Sequence, residues 1–246
     1  MFRSNPTFSA KALENVAASS VPMTINGAIG KTLALLLFAF IGAALSVYGA
    51  VTGAITGDKV EPYIWVSAIG GFVLALVITF KPNLAKILAP VYAFAEGVFL
   101  GMITLLLEAT YPGIAFKAIA VTMLSLFSML MLYRFNILKA TDRFRQTIMT
   151  ALWAIVILYV INIIGHWVPF LRIPMVNDAS PIGIAFSVII CVIASLCFII
   201  DFDNIKMGAE RFMPKDYEWY FAFGLMVTLV WLYVEVLRLL AKLNRR

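Results

Sequence analysis

The chain has 246 residues, of which 63% are apolar and only 13% charged, with a formal net charge of +6 at pH 7. An ordinary soluble domain holds roughly 45–50% apolar and about 25% charged residues, so this composition excludes one and indicates a polytopic membrane protein. The basic residues lie between apolar runs and form no basic domain, which argues against nucleic acid as a partner and for a role in setting topology.

Residues 1–30 carry Arg3, Lys11 and Glu14 without a continuous apolar core. They read as a polar cytoplasmic arm and not as a cleavable signal peptide. The remaining residues, 31–246, are expected to form a single membrane domain. A bilayer core of about 30 Å needs roughly 20 mainly apolar residues per helix. That template fits seven times: residues 32–54, 62–80, 87–107, 113–133, 147–167, 180–200 and 218–240. Pro62 suits the first turn of the second span, and Ser180-Pro181 resembles an N-cap followed by a first-turn proline. Residues 167–179, with Pro169, Pro174, Asn177 and Asp178, read as the longest loop, able to cover one mouth of a bundle.

The Lys and Arg residues of the arm and of alternate loops (Arg3, Lys11, Lys31; Lys81, Lys86; Arg134, Lys139, Arg143, Arg145; Lys206, Arg211, Lys215) number twelve. The opposite loops hold three, Lys59, Lys117 and Arg172. The excess places the N-terminus in the cytoplasm. Seven spans then put Arg238, Lys242, Arg245 and Arg246 outside, which weakens the contrast and leaves open a six-span alternative with one re-entrant segment.

Acidic residues within or beside spans are the candidate functional groups, because a charge at membrane depth is costly without a partner or water. Glu96 lies near the middle of the third span; its plainer reading is a protonated carboxyl hydrogen-bonded inside the bundle. Gly97 and Gly101, in Gly-x-x-x-Gly spacing at the same depth, read as a close helix contact. Asp201 and Asp203 end the sixth apolar run and point about 200° apart on a helix, so one of them is expected to face inward. With Glu218 they gather near the cytoplasmic face, where paired carboxylates can titrate near neutral pH or transiently bind Ca²⁺ through oxygen ligands. The alternative is a solvated patch paired with Lys206, Arg211 or Lys215. Glu235 and Arg238 are expected to form an i,i+3 ion pair.

Other groups read as structural. Cys191 and Cys197 fall inside one apolar run with no metal or disulfide spacing. The single histidine, His166, sits beside Trp167 at an expected interface. No zincin, Gly-x-Ser-x-Gly or Walker motif is present, so an enzyme is not expected. An aspartyl intramembrane protease is disfavoured because Gly-x-Gly-Asp is missing around Asp201. A proton-coupled solute transporter would need broken helices, for which Gly70-Gly71 and Gly97 are the only hints.

Several stretches together resemble the Bax inhibitor-1 (transmembrane Bax inhibitor motif) family, in particular its bacterial YccA-like branch. They are Arg3-Ser4-Asn5-Pro6, Met23-Thr24-Ile25-Asn26-Gly27, the run around Glu96 to Gly101, Leu132-Tyr133-Arg134 through Thr141-Asp142-Arg143-Phe144-Arg145, and Glu218-Trp219-Tyr220-Phe221-Ala222-Phe223-Gly224-Leu225 leading to Trp231-Leu232-Tyr233. The resemblance implies an all-α seven-helix membrane bundle with the last helix central, in a bacterial inner membrane. It also implies a pH-sensitive Ca²⁺ leak without a bound cofactor, linked to the stress response. The alternative it implies is a non-enzymatic regulator of a membrane AAA protease of the FtsH type, docked through the arm. In that family two aspartates, one ending the sixth helix and one in the seventh, form a pH-dependent latch. The Asp-x-x-x-Ile pattern maps the first onto Asp201, with Asp203 beside it. The second position falls in Met226-Val227-Thr228-Leu229-Val230-Trp231, where Thr228 can hydrogen-bond but cannot titrate. Glu218 and Glu96 are the acids that could substitute.

Overall fold

The computed structural model describes residues 21–55, 57–168, 173, 176 and 178–245. Residues 1–20, on which the arm and its protease-docking role depend, lie outside this set, as do the side chains of His166 and Trp167 and most of the 167–179 loop. Among the described residues, seven helices are long and apolar enough to cross a membrane. They are α1 (Ile25–Val51), α2 (Gly57–Phe80), α3 (Ala85–Thr110), α4 (Ile114–Arg134), α5 (Asp142–Trp167), α6 (Pro181–Glu210) and α7 (Tyr217–Asn244). A single 3-10 turn, Pro82–Leu84, links α2 to α3. All seven expected spans are therefore present as helices.

Local chemistry explains the ends. Thr24 caps α1, its Oγ1 accepting from the Gly27 N–H at 2.9 Å. This start is seven residues before the expected 32, because the polar look of Asn26 and Gly27 hides a capped first turn. Thr141 caps α5 in the same way, accepting from the Phe144 N–H. Ser180 accepts from the Gly183 N–H at 3.2 Å, with Pro181 as the first residue of α6. Gly113 enters α4 at φ +83°, a left-handed conformation that suits glycine. The second span departs from expectation: α2 begins at Gly57, so Pro62 lies inside it and not at its entrance.

The outward faces confirm the class. Leu33, Phe40, Val66, Phe116 and Ile182 are all exposed on long helices, a pattern that lipid and not water satisfies. The last helix is the exception. In its most apolar window 83% of residues are buried, against 17–44% in the other six, so α7 is the helix that protein encloses.

Two compact units can be described, Met1–Thr110 with Asp201–Val230, and Tyr111–Ile200 with Trp231–Arg246. Helices α6 and α7 are each divided between the two units, α6 after Ile200 and α7 after Val230. In the first unit α1 and α3 touch backbone to backbone. A Cβ on Gly97 would collide with the Ala39 carbonyl, one on Gly101 would reach the Ala43 Cα at 2.8 Å, and one on Gly42 would meet the Phe94 carbonyl. The Gly-x-x-x-Gly pair is thus a packing device, as expected. Tyr92 meets Phe223 edge-on, with ring centroids 4.9 Å apart. In the second unit Ile148, Cys197 and Ile200 form a core against Phe144, Leu152, Leu196 and Trp231. Neither cysteine is in a disulfide.

Candidate functional site

The sixth apolar run does not stop at residue 200. Phe202, Ile205 and Met207 sustain it, and α6 continues to Glu210. Asp201 consequently sits in the interior of a continuous helix and not at its end, with 1% of its surface exposed. Asp203, two residues on, is only half-buried. The 200° separation of neighbours i and i+2 has turned one acid inward and left the other at the flank, as the spacing requires.

Thr228, on the enclosed helix α7, donates its hydroxyl hydrogen to Asp201 Oδ2 at 2.6 Å. The same hydroxyl lies 3.3 Å from the Gly224 carbonyl one turn back, a second acceptor. Thr228 is therefore equipped for either protonation state of its partner. It donates to a carboxylate; facing a carboxylic acid, it accepts that proton and gives its own hydrogen to Gly224. Asn204 lies one turn beyond Asp201 on the same face and is 1% exposed. Sequence reasoning passed over it because an asparagine after two aspartates looks like the start of a polar loop.

The other two candidate acids belong to different neighbourhoods. Glu218, in the first turn of α7, is 2% exposed and accepts from the Thr24 backbone N–H at 3.0 Å and from Thr24 Oγ1 at 3.3 Å. Gly27 leaves the space its carboxylate occupies. A carboxylate at the unsatisfied N–H groups of α1 also complements the positive end of that helix dipole. The chain before α1 is strapped to the same region: Met23 N–H donates to the Met213 carbonyl at 2.7 Å and Lys215 N–H to the Val21 carbonyl at 3.1 Å. Ten residues separate Glu218 from Thr228, about 15 Å along the helix axis, so Glu218 serves the α1 end and not the Asp201 contact. Glu218→Ala is expected to destabilise the chain by about 1–3 kcal/mol, the cost of an unmade buried hydrogen bond. Faster amide exchange at residues 24–27 would report it; unchanged exchange there would contradict the capping role.

Glu96 hydrogen-bonds Tyr92 one turn back on α3 and lies in the gap left by Gly71 of α2, where a Cβ would come within 2.6 Å of Glu96 Oε1. In the second unit, Glu235 and Arg238 pair at 3.2 Å as expected. Tyr159 joins them, donating to Glu235 at 2.8 Å and accepting from Arg238. Arg145, one of the loop cations counted for topology, is 6% exposed and donates its Nε hydrogen to the Ala140 carbonyl. Among the described residues no three His, Cys, Asp or Glu side chains gather to hold a metal ion.

The pattern of the Bax inhibitor 1 like family matches residues 5–245. The chain belongs to that family. No curated protein and no solved structure matches it. Bax inhibitor 1 like proteins are in general non-enzymatic membrane proteins, and this member's seven apolar helices place it in a lipid bilayer. Its buried acid on α6 is met on α7 by the Thr228 hydroxyl.

Proposed function

We propose that this protein is a pH-sensitive cation leak pathway, with Ca²⁺ as the transported ion, gated where Asp201 of α6 meets Thr228 of α7. The observation that carries the reading is a 1%-exposed carboxylate held at 2.6 Å by a hydroxyl of the most enclosed helix. A membrane-embedded acid of this kind is costly to keep unless it serves an ion or proton path. An ionised Asp201 attracts a cation, while a protonated one does not, so flux falls as pH drops through its titration. The excess of basic residues on the N-terminal side supports an N-terminus in the cytoplasm, and the resemblance to the bacterial YccA-like branch supports a bacterial inner membrane.

The test is Ca²⁺ flux in liposomes loaded with an indicator dye, wild type against Asp201→Asn, across pH 5 to 8. Asparagine keeps a hydrogen-bonding partner for Thr228 but cannot titrate. Flux through the variant is expected to be low and flat with pH where that of the wild type varies. Identical profiles would remove Asp201 from the mechanism.

A further inference from the structure

The turn between α4 and α5 holds two large apolar side chains in the open, outside either helix. Phe135 is 67% exposed and Ile137 66%. The backbone builds this exposure in. Asn136, at φ +57°, takes the left-handed position that ends α4, while the Ile137 N–H donates to the Leu132 carbonyl at 3.0 Å and the Asn136 N–H to the Tyr133 carbonyl at 3.0 Å. This is a Schellman cap, in which asparagine can stand for glycine. At the other end of the turn Thr141 caps α5, and the buried Arg145 donates to the Ala140 carbonyl at 3.1 Å.

Cations surround the apolar pair. Arg134, Lys139 and Arg143 are all exposed, and Asp142 is the one acid between residues 134 and 143. A part in setting topology accounts for the cations. It does not account for Phe135 and Ile137, whose exposure water disfavours.

Depth decides what meets them. Helix α4 has 21 residues, a length of about 31 Å that matches a hydrocarbon core of roughly 30 Å. A helix that just spans the core ends where acyl chains give way to headgroups, and the turn stands at that level. Two apolar side chains are too few for a stable protein interface, which buries roughly 800 Å² on each partner. Anionic phosphates beside the cations, with acyl chains against the apolar tips, complement both halves of the surface.

We propose that the α4–α5 turn is an interfacial anchor that binds an anionic phospholipid, with Phe135 and Ile137 entering the edge of the bilayer and Arg134, Lys139 and Arg143 meeting the headgroup. The site is separate from the Asp201 contact and does not rest on it.

The purified full-length protein in non-ionic detergent is titrated with short-chain phosphatidylglycerol and with short-chain phosphatidylcholine at constant ionic strength, bound lipid being counted by native mass spectrometry. Arg134→Gln, Lys139→Gln and Arg143→Gln, made singly, each change an exposed side chain. Phe135→Ser with Ile137→Ser removes the apolar tips, and circular dichroism checks the helix content of every variant. The wild type is expected to prefer phosphatidylglycerol, and each cation variant to bind it about five-fold more weakly. The serine pair is expected to weaken both lipids. Asp142→Asn supplies the opposite sign, about five-fold tighter phosphatidylglycerol binding, which damage to the fold would not produce. Lys117→Gln, an exposed cation near the start of α4, is expected to leave binding unchanged. No preference for phosphatidylglycerol, unchanged binding in the cation variants or in the serine pair, or an equal loss in Lys117→Gln overturns the proposal. Dimers that the serine pair dissociates would assign the surface to a second copy of the chain and overturn it as well.

Discussion

Gly97→Ala is expected to lower the unfolding free energy by about 3 kcal/mol, the upper part of the range for overpacking a close contact. A methyl group at this position meets backbone on the neighbouring helix: the Ala39 carbonyl oxygen first, then the Ala39 carbonyl carbon at 2.7 Å and its Cα at 2.8 Å. A flexible side chain could swing aside, but a helix backbone can only translate. Translation of α1 is opposed by Gly42 and Gly101, whose own contacts with α3 and α1 are as close. The intrinsic helix preference of alanine over glycine, about 1 kcal/mol in the opposite direction, is too small to compensate. Gly70→Ala supplies the control, since nothing lies within 4 Å of a Cβ there, and it is expected to leave stability unchanged or raise it by up to about 1 kcal/mol, the helix preference acting without a clash. Unfolding of both variants in mixed micelles measures the difference. Equal stabilities would mean that the α1–α3 contact is looser than described.

What could be read from the sequence follows from the range of each interaction. Seven helices were legible because apolar runs of membrane length are a property of about 20 consecutive residues. The Glu235–Arg238 pair was legible because its partners are three residues apart on one helix. Tyr159, which completes that network, is 76 residues from Glu235 and leaves no local mark. The start of α1 was misplaced for the same reason. Its Glu218 partner lies 194 residues from Thr24, so the polar segment before residue 31 resembled a free arm. Asp201 was legible, with Asp203, as one of two acids ending an apolar run, yet its depth was not, because the pattern ahead of Glu210 mixes acids with the apolar residues that continue the helix. Thr228 came only from comparing the seventh helix with a family pattern; alone, a threonine in a membrane helix is commonplace.

Thr228→Asp is expected to convert the contact into a steep pH switch. In the wild type, ionised Asp201 accepts from the Thr228 hydroxyl, and protonated Asp201 can donate to it while Thr228 turns its own hydrogen to Gly224. The α6–α7 contact is therefore expected to hold whichever of the two carries the proton. An aspartate at 228 removes that tolerance. With one proton shared, the two carboxyls still hold each other; when both ionise, like charges about 4 Å apart at an effective dielectric of 20 repel by about 4 kcal/mol. The proton that holds the contact is lost at the upper macroscopic step of the pair, which lies above the titration of an isolated carboxyl. Ca²⁺ flux in the variant should therefore be suppressed below that step and rise at least about tenfold above it, more steeply than in the wild type, since 4 kcal/mol exceeds the 1.4 kcal/mol of a tenfold change. Thr228→Val separates the hydrogen bond from the charge. It leaves Asp201 in place without the hydroxyl, and is expected to cost about 1–3 kcal/mol of stability while raising flux at every pH. A Thr228→Asp profile that overlays the wild type would show that the α6–α7 contact does not govern the pathway.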